Sequence, residues 1–237
     1  MMKSGTKIVF TIVITALMAS YTFRLQAAEI ESSIARGGKL YDKWYKVIDQ
    51  KNPVNSHPLY PADKKYAGKP GANWRCKECH GWDYQGKDGA YSSGKHSSGI
   101  KGINNAAGQP TAQIINTLKS SDHGYGNILS DEDMTDLANF VSKGQVDMDI
   151  SIDRASKKPK GDSARGEAYY NTICAGCHGK DGKQPEDMKP FAKQMGNPWE
   201  VMHKILNGQP GEQMPALRAL DHQIIADIMS HMKTLPE

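Results

Sequence analysis

One pattern occurs twice in the chain, as Cys76-Lys77-Glu78-Cys79-His80 and as Cys174-Ala175-Gly176-Cys177-His178. Two cysteines separated by two residues and followed directly by histidine are typical of covalent haem attachment, in which both thiols add to the porphyrin vinyl groups. The histidine then ligates the iron from one side of the ring. Because the two copies use all four cysteines of the 237-residue chain, the sequence predicts two covalently attached haems.

A cysteine pair with this spacing also occurs in redox dithiols and in zinc sites. The alternative for this chain is a zinc site built from all four cysteines. The histidine that follows both pairs directly favours haem. Under that interpretation Cys76, Cys79, Cys174 and Cys177 attach the two haems, while each following histidine, His80 or His178, binds an iron.

An internal repeat precedes the two motifs, as Ala35-Arg36-Gly37 and as Ala164-Arg165-Gly166. These triplets are 129 residues apart, whereas the motifs are 98 apart, so the first copy carries 31 extra residues before its motif. The insertion covers about residues 47–74 and is rich in proline, which excludes a long helix and predicts an ordered loop. It is interpreted as a packing loop, with a docking surface or a cover for one haem edge as alternatives.

Hydrophobic periodicity predicts a similar series of helices after each motif. In the first copy these are expected near Thr111 to Lys119 and from Ser130 to about Gly144. In the second they are expected near Trp199 to Leu206 and across Ile224 to Met232. The predicted domains are 29–148 and 164–237. The segment between them, 149–163, lacks periodicity and is predicted to be a linker.

Each iron needs a sixth ligand opposite its motif histidine, and the identity of that ligand largely sets the redox potential. In the second copy Met214-Pro215 lies in a loop between two predicted helices, and the proline would stiffen the loop that presents the thioether. Met214 is therefore the predicted ligand. Met195 and Met202 are competitors that lie earlier in the chain.

The first copy contains no Met-Pro pair. Aligning the final helices of the two copies gives an offset of 91 residues. With that offset, His123 of the first copy aligns with Met214 of the second. His123 lies in a loop of small residues between the corresponding helices, so it is the predicted sixth ligand. The alternatives are His96, an open or differently ligated iron and, more remotely, His57.

The first 28 residues are predicted to be a signal peptide. Lys3 and Lys7 precede an uncharged apolar run from Ile8 to Phe23, and cleavage is expected near Ala27 or Ala28. An uncleaved membrane anchor is the alternative. Both interpretations place the rest of the chain outside the cytoplasm, in the periplasm.

The net charge of +4 depends on the N-terminal segment, since loss of Lys3, Lys7 and Arg24 would leave +1. Two haems would add four propionates and make the protein mildly acidic. No block of like charge stands out in the remaining chain, so nucleic acid is not an expected partner.

Together, the two motifs, the repeat and Met214-Pro215 resemble small class I c-type cytochromes, and in particular a periplasmic dihaem cytochrome made of two fused single-haem domains. The resemblance covers nearly the whole mature chain. It implies mostly α-helical domains, each with one haem in a crevice and one exposed haem edge. The insertion and the histidine at the usual methionine position depart from the pattern and indicate two unlike haems.

The resemblance also implies a function. We expect an electron carrier rather than an enzyme, with periplasmic or membrane-bound redox proteins as donor and acceptor. A bis-histidine first haem would have the lower potential and a histidine–methionine second haem the higher one, since thioether ligation raises the potential. The alternatives are a haem subunit of a larger oxidoreductase complex, or a dihaem enzyme such as a peroxidase with a releasable sixth ligand.

Overall fold

The computed structural model describes residues 28–237, so nearly all of the predicted signal peptide lies outside the described residues. The structure is 48% helical, which confirms the mostly α fold class. No helix between residues 28 and 237 combines the length and the apolar character needed to cross a membrane.

The helices form two similar series along the chain, separated by a short two-stranded sheet. The longer helices are α1 (residues 28–47), α4 (Thr111–Lys119), α5 (Asp131–Asn139), α6 (Ser163–Ile173), α9 (Pro198–Asn207) and α10 (His222–Met232). The short ones are α2 (Pro70–Asn73), α3 (Cys76–His80), α7 (Ala175–His178) and α8 (Phe191–Gln194), and the strands are β1 (Ile152–Asp153) and β2 (Lys158–Pro159).

A glycine allows two helices to cross closely in each series. A Cβ added to Gly37 of α1 would lie 2.1 Å from the carbonyl oxygen of Asp136 in α5. A Cβ added to Gly166 of α6 would lie 1.9 Å from the carbonyl oxygen of Asp227 in α10. No side chain fits between backbones this close, so glycine is required at both crossings.

The arginine before each glycine binds the same aspartate that the glycine approaches. Arg36 donates to the Asp136 carboxylate at 2.7 Å, and Arg165 donates to the Asp227 carboxylate at 2.9 Å. The two aspartates are 91 residues apart, which is the offset that pairs His123 with Met214. The arginine–aspartate pairs of the two series therefore have the same residue offset as the alignment derived from the sequence.

The helices predicted after the first motif form where expected. Helix α4 has the predicted bounds, and Ser130 caps α5 through a capping box with Asp133. Helix α5 then continues as a wider π-helical turn over Phe140–Gly144, which periodicity did not predict. Met134 of α5 is 2% exposed and belongs to the hydrophobic core.

Residues 149–163 are more ordered than their lack of periodicity suggested. Strands β1 and β2 pair antiparallel, with Ile152 opposite Pro159, and the Ile152 side chain is fully buried. Arg154 in the turn between the strands donates to the Asp83 carboxylate at 2.6 Å. This segment is thus anchored to the first series, and its assignment as an interdomain linker stays a prediction.

The insertion contains turns and only one short helix, α2, as its proline content predicted. Asn73, at the end of α2, is buried and binds the rest of the insertion. Its amide donates to the carbonyl oxygens of Tyr66 and Ala67 at 2.9 and 3.0 Å, while its Oδ1 accepts from the backbone N–H of His57 at 3.0 Å. These bonds give the insertion one defined conformation.

Helix α9 packs against α1 and joins the two series. His203 of α9 is fully buried, donates from Nε2 to the Gly38 carbonyl oxygen at 2.9 Å and accepts from the Tyr84 hydroxyl at 3.2 Å. Lys204 donates to the Asp42 carboxylate of α1 at 2.8 Å. Asp42 also accepts from Arg75, the residue before the first motif.

We expect the Asp42→Asn substitution to lower the free energy of unfolding by roughly 3–5 kcal/mol at pH 7, because it leaves the charges of Arg75 and Lys204 without a buried partner. Burial alone would raise the pKa of Asp42, but Lys204 and Arg75 outweigh burial and hold it well below the usual range. The stabilisation is therefore complete above the unfolded-state pKa of about 4 and lost as the pH falls through the folded-state value.

Denaturant unfolding of wild type and variant at pH 7 and near pH 3 measures this contribution. The difference between the two proteins should shrink at the lower pH. Asp63→Asn is the control, since Asp63 forms an exposed ion pair with Lys64 that contributes little. A difference that does not depend on pH would contradict the assigned charge network.

Candidate haem sites

The first motif forms α3, a short helix that ends at His80. Because Cys76 and Cys79 are three residues apart, they lie on the same side of this helix. The Nδ1–H of His80 donates to the Lys101 carbonyl oxygen at 2.7 Å. Since a carbonyl can only accept, this bond fixes the tautomer and leaves Nε2 as the free lone pair. Burial lowers the pKa of His80 to about 4, which favours the neutral form that binds metals.

The second motif repeats this arrangement. The Nδ1–H of His178 donates to the Gln184 carbonyl oxygen at 3.0 Å, so its Nε2 is also left free. A tyrosine from the preceding helix fixes the glycine after each histidine: Tyr41 donates to the Gly81 carbonyl at 2.6 Å, and Tyr170 donates to that of Gly179 at 2.7 Å. Both motifs are therefore built to present one imidazole nitrogen.

His80 and His123 are brought together by the fold although they are 43 residues apart. Their ring centres are 6.3 Å apart, and their ring planes differ by 20°. Metal–nitrogen distances of about 2.0–2.1 Å, with roughly 1.1 Å from nitrogen to ring centre, put the ring centres of two imidazoles that bind one metal from opposite sides about 6.3 Å apart. Burial lowers the pKa of His123 and favours its neutral form. This spacing fits an iron held between the two rings.

The alternative ligand His96 is engaged elsewhere. Its Nδ1 is 2.9 Å from the Glu78 carboxylate, and its ring lies between the rings of Tyr66 and Tyr91, at 4.9 and 4.8 Å. Glu78 also accepts from Lys77 at 2.7 Å. His96 therefore belongs to the packing over the first motif, where Lys77 and Glu78 are 5% and 0% exposed.

His57, the remaining alternative, has both ring nitrogens bonded to backbone. Its Nδ1 accepts from the Leu59 N–H at 3.2 Å, so Nε2 carries the proton and donates to the His123 carbonyl oxygen at 3.2 Å. His57 thus contacts the loop of the predicted ligand and is not placed as a ligand itself. The sequence offered no signal for this contact, because its acceptor is a backbone carbonyl 66 residues away.

Met214 lies in the loop between α9 and α10, is partly buried and packs against the hydrophobic core. Its competitors Met195 and Met202 are 1% and 0% exposed within the core. The His178 ring packs on Phe191, with ring centres 4.8 Å apart. Ligation by Met214 stays a prediction.

The four thiols occupy two separate places. In residues 28–237, no cluster of three or more histidine, cysteine or acidic side chains could hold a metal ion. Burial raises the pKa of Cys76 and of Cys174 to about 11 and that of Cys79 to about 12, whereas Cys177 is exposed. Within residues 28–237 the four thiols therefore do not form the single zinc site that was the alternative.

Comparison with known proteins adds one finding for the second series. A family model described as cytochrome c oxidase, cbb3-type, subunit III matches residues 161–232. No curated protein matches the chain significantly, and neither does a solved structure.

The match includes the second motif and Met214, and it supports a c-type cytochrome. A cytochrome c domain implies a covalently bound haem, iron binding and electron transfer. The residues of the second motif fit that cofactor, since they supply two thiols and an imidazole with a free Nε2.

Proposed function

We propose that the chain is a dihaem c-type cytochrome that transfers electrons between periplasmic redox partners. Residues 29–148 form the first haem domain, with attachment at Cys76 and Cys79. Residues 164–237 form the second, with attachment at Cys174 and Cys177. The bound haems would supply one-electron transfer between Fe(III) and Fe(II).

The main support for a haem in the first series is the short distance between the rings of His123 and His80. Within the described residues, His80 presents one free nitrogen, and the 6.3 Å between the ring centres matches two imidazoles on one iron. The tyrosine-to-glycine and arginine-to-aspartate contacts of the second series recur in the first. These contacts support two related haem domains.

Ligation gives the two sites different roles. His80 and His123 would hold the first iron with two imidazoles, whereas His178 and Met214 would hold the second with an imidazole and a thioether. Because a thioether raises the potential, electrons would move from the first site to the second. Sixth ligands at both sites favour a carrier over an enzyme, which needs a vacant or releasable position.

We expect a redox titration of the purified holoprotein to show two one-electron steps at separated potentials. The lower step should belong to the site with the bis-histidine spectrum and the higher step to the site with the methionine spectrum. Visible and near-infrared spectra recorded during the titration assign each step to its site. A single two-electron wave would contradict the proposed direction of transfer.

A further inference from the structure

The loop that carries His123 is held from outside by the insertion. His57 Nε2 donates to the carbonyl oxygen of His123 itself, at 3.2 Å. The Leu59 N–H fixes the opposite side of the His57 ring, and the Asn73 side chain fixes its backbone. His57 is therefore oriented as a donor toward this one carbonyl.

A second bond anchors the same loop beside the first motif. The hydroxyl of Tyr125, two residues after His123, donates to the Trp74 carbonyl oxygen at 2.8 Å. Trp74 is two residues before Cys76, and its carbonyl also accepts from Trp44 Nε1 at 3.0 Å. The ligand loop is thus connected to the chain that leads into the motif.

Aromatic packing supports both bonds. The rings of His57 and Trp74 are 4.4 Å apart between centres, and those of Trp74 and Tyr125 are 5.7 Å apart. The Tyr125 side chain is 3% exposed. Tyr125 therefore holds the loop against a packed surface of the insertion, while residues 121, 122, 124, 126 and 127 of the loop are exposed.

The ring of His123 has no comparable anchor of its own. The Thr117 carbonyl lies near the ring, but Nδ1 is buried and makes no hydrogen bond of good geometry within residues 28–237. The position of the imidazole therefore depends on the backbone of its loop, which His57 and Tyr125 hold.

We propose that the insertion, residues 47–74, is a ligand clamp that keeps His123 opposite His80 and so closes the first iron to external ligands. His57 is its positioning residue, and Tyr125 provides the second attachment. The clamp rests on the proposed ligation by His123. It gives the extra 31 residues of the first series a role that the second series, with its predicted methionine ligand, does not require.

The clamp is tested by cyanide binding to the ferric holoprotein, followed at the absorption bands of each haem. Cyanide enters only when the sixth ligand leaves. We expect His57→Ala and Tyr125→Phe each to raise the rate of cyanide binding at the first haem about fivefold, the effect of losing one hydrogen bond. The rate at the second haem should not change, which makes that haem an internal control.

Two further variants separate positioning from general destabilisation. His57→Gln retains an amide that can donate to the His123 carbonyl, so its rate should lie between those of wild type and His57→Ala. His222→Ala, at the start of α10, should leave both rates unchanged.

The outcomes distinguish the clamp from the ligation on which it rests. Wild-type cyanide rates in both His57→Ala and Tyr125→Phe would overturn the clamp, while ligation by His123 would stand. If His123→Ala leaves the spectrum of the first haem unchanged, the ligation itself fails. Should His57→Ala not assemble with haem, Tyr125→Phe decides the question, because it removes a single hydroxyl.

Discussion

Replacing His123 by alanine is expected to abolish the bis-imidazole near-infrared band of the first haem and to leave the methionine band of the second haem intact. The substitution removes the ring that faces His80 at 6.3 Å between centres. The first iron would then be five-coordinate or bind an exchangeable ligand, and ferric cyanide binding should become fast at that haem alone. Visible and near-infrared spectra of purified wild type and variant measure this change directly.

His96→Ala is the matched control for that experiment. His96 also lies near the first motif, but its ring is bonded to Glu78 and packed between two tyrosines. We expect the variant to retain both near-infrared bands. An unchanged band in His123→Ala, or loss of the band in His96→Ala, would show that the wrong histidine has been assigned.

The second large effect is expected at the helix crossings. Gly166→Ala should lower the free energy of unfolding of the holoprotein by at least about 3 kcal/mol, at the upper end of the usual cost of over-packing. Its Cβ would lie 1.9 Å from the Asp227 carbonyl oxygen, which belongs to the backbone and cannot move aside without displacing α10. Gly37→Ala should have a similar effect at the corresponding crossing of α1 and α5.

Gly68→Ala provides the control for both glycine variants. A Cβ at position 68 has no atom within 4 Å, and the residue has no positive φ. Its stability should stay within about 0.5 kcal/mol of wild type. Thermal or denaturant unfolding of the wild-type holoprotein and the three variants measures the differences, and a Gly166→Ala protein as stable as Gly68→Ala would contradict the close approach of α6 and α10.

The sequence predicted the features that depend on local spacing. Helix α4 and the Ser130 cap of α5 follow from apolar periodicity and from the acidic first turn. The pairing of His123 with Met214 came from counting residues between repeats. Asp136 and Asp227, which bind the arginines of the two repeats, are separated by the same 91 residues. The helix and its cap can be predicted because neighbouring residues determine them, and the repeat offset because it is a count along the chain.

Features that join distant parts of the chain were not predictable in this way. The contact of His57 with the His123 carbonyl, and that of His203 with Gly38, each have a backbone acceptor, which no side-chain pattern marks. The β1–β2 pairing was missed because two-residue strands are too short to show alternation. The π-helical turn after α5 was missed because a period of 3.6 residues does not mark an i→i+5 turn.

The two motifs differ in how accessible the residues between and at their cysteines are. Lys77 and Glu78, which lie between the motif cysteines, are 5% and 0% exposed, and burial raises the pKa of the Cys79 thiol to about 12. In the second motif, Gly176 and Cys177 are exposed. Attachment of the proposed first haem at Cys76 and Cys79 would therefore require this part of the chain to open, whereas Cys177 is accessible on the folded chain.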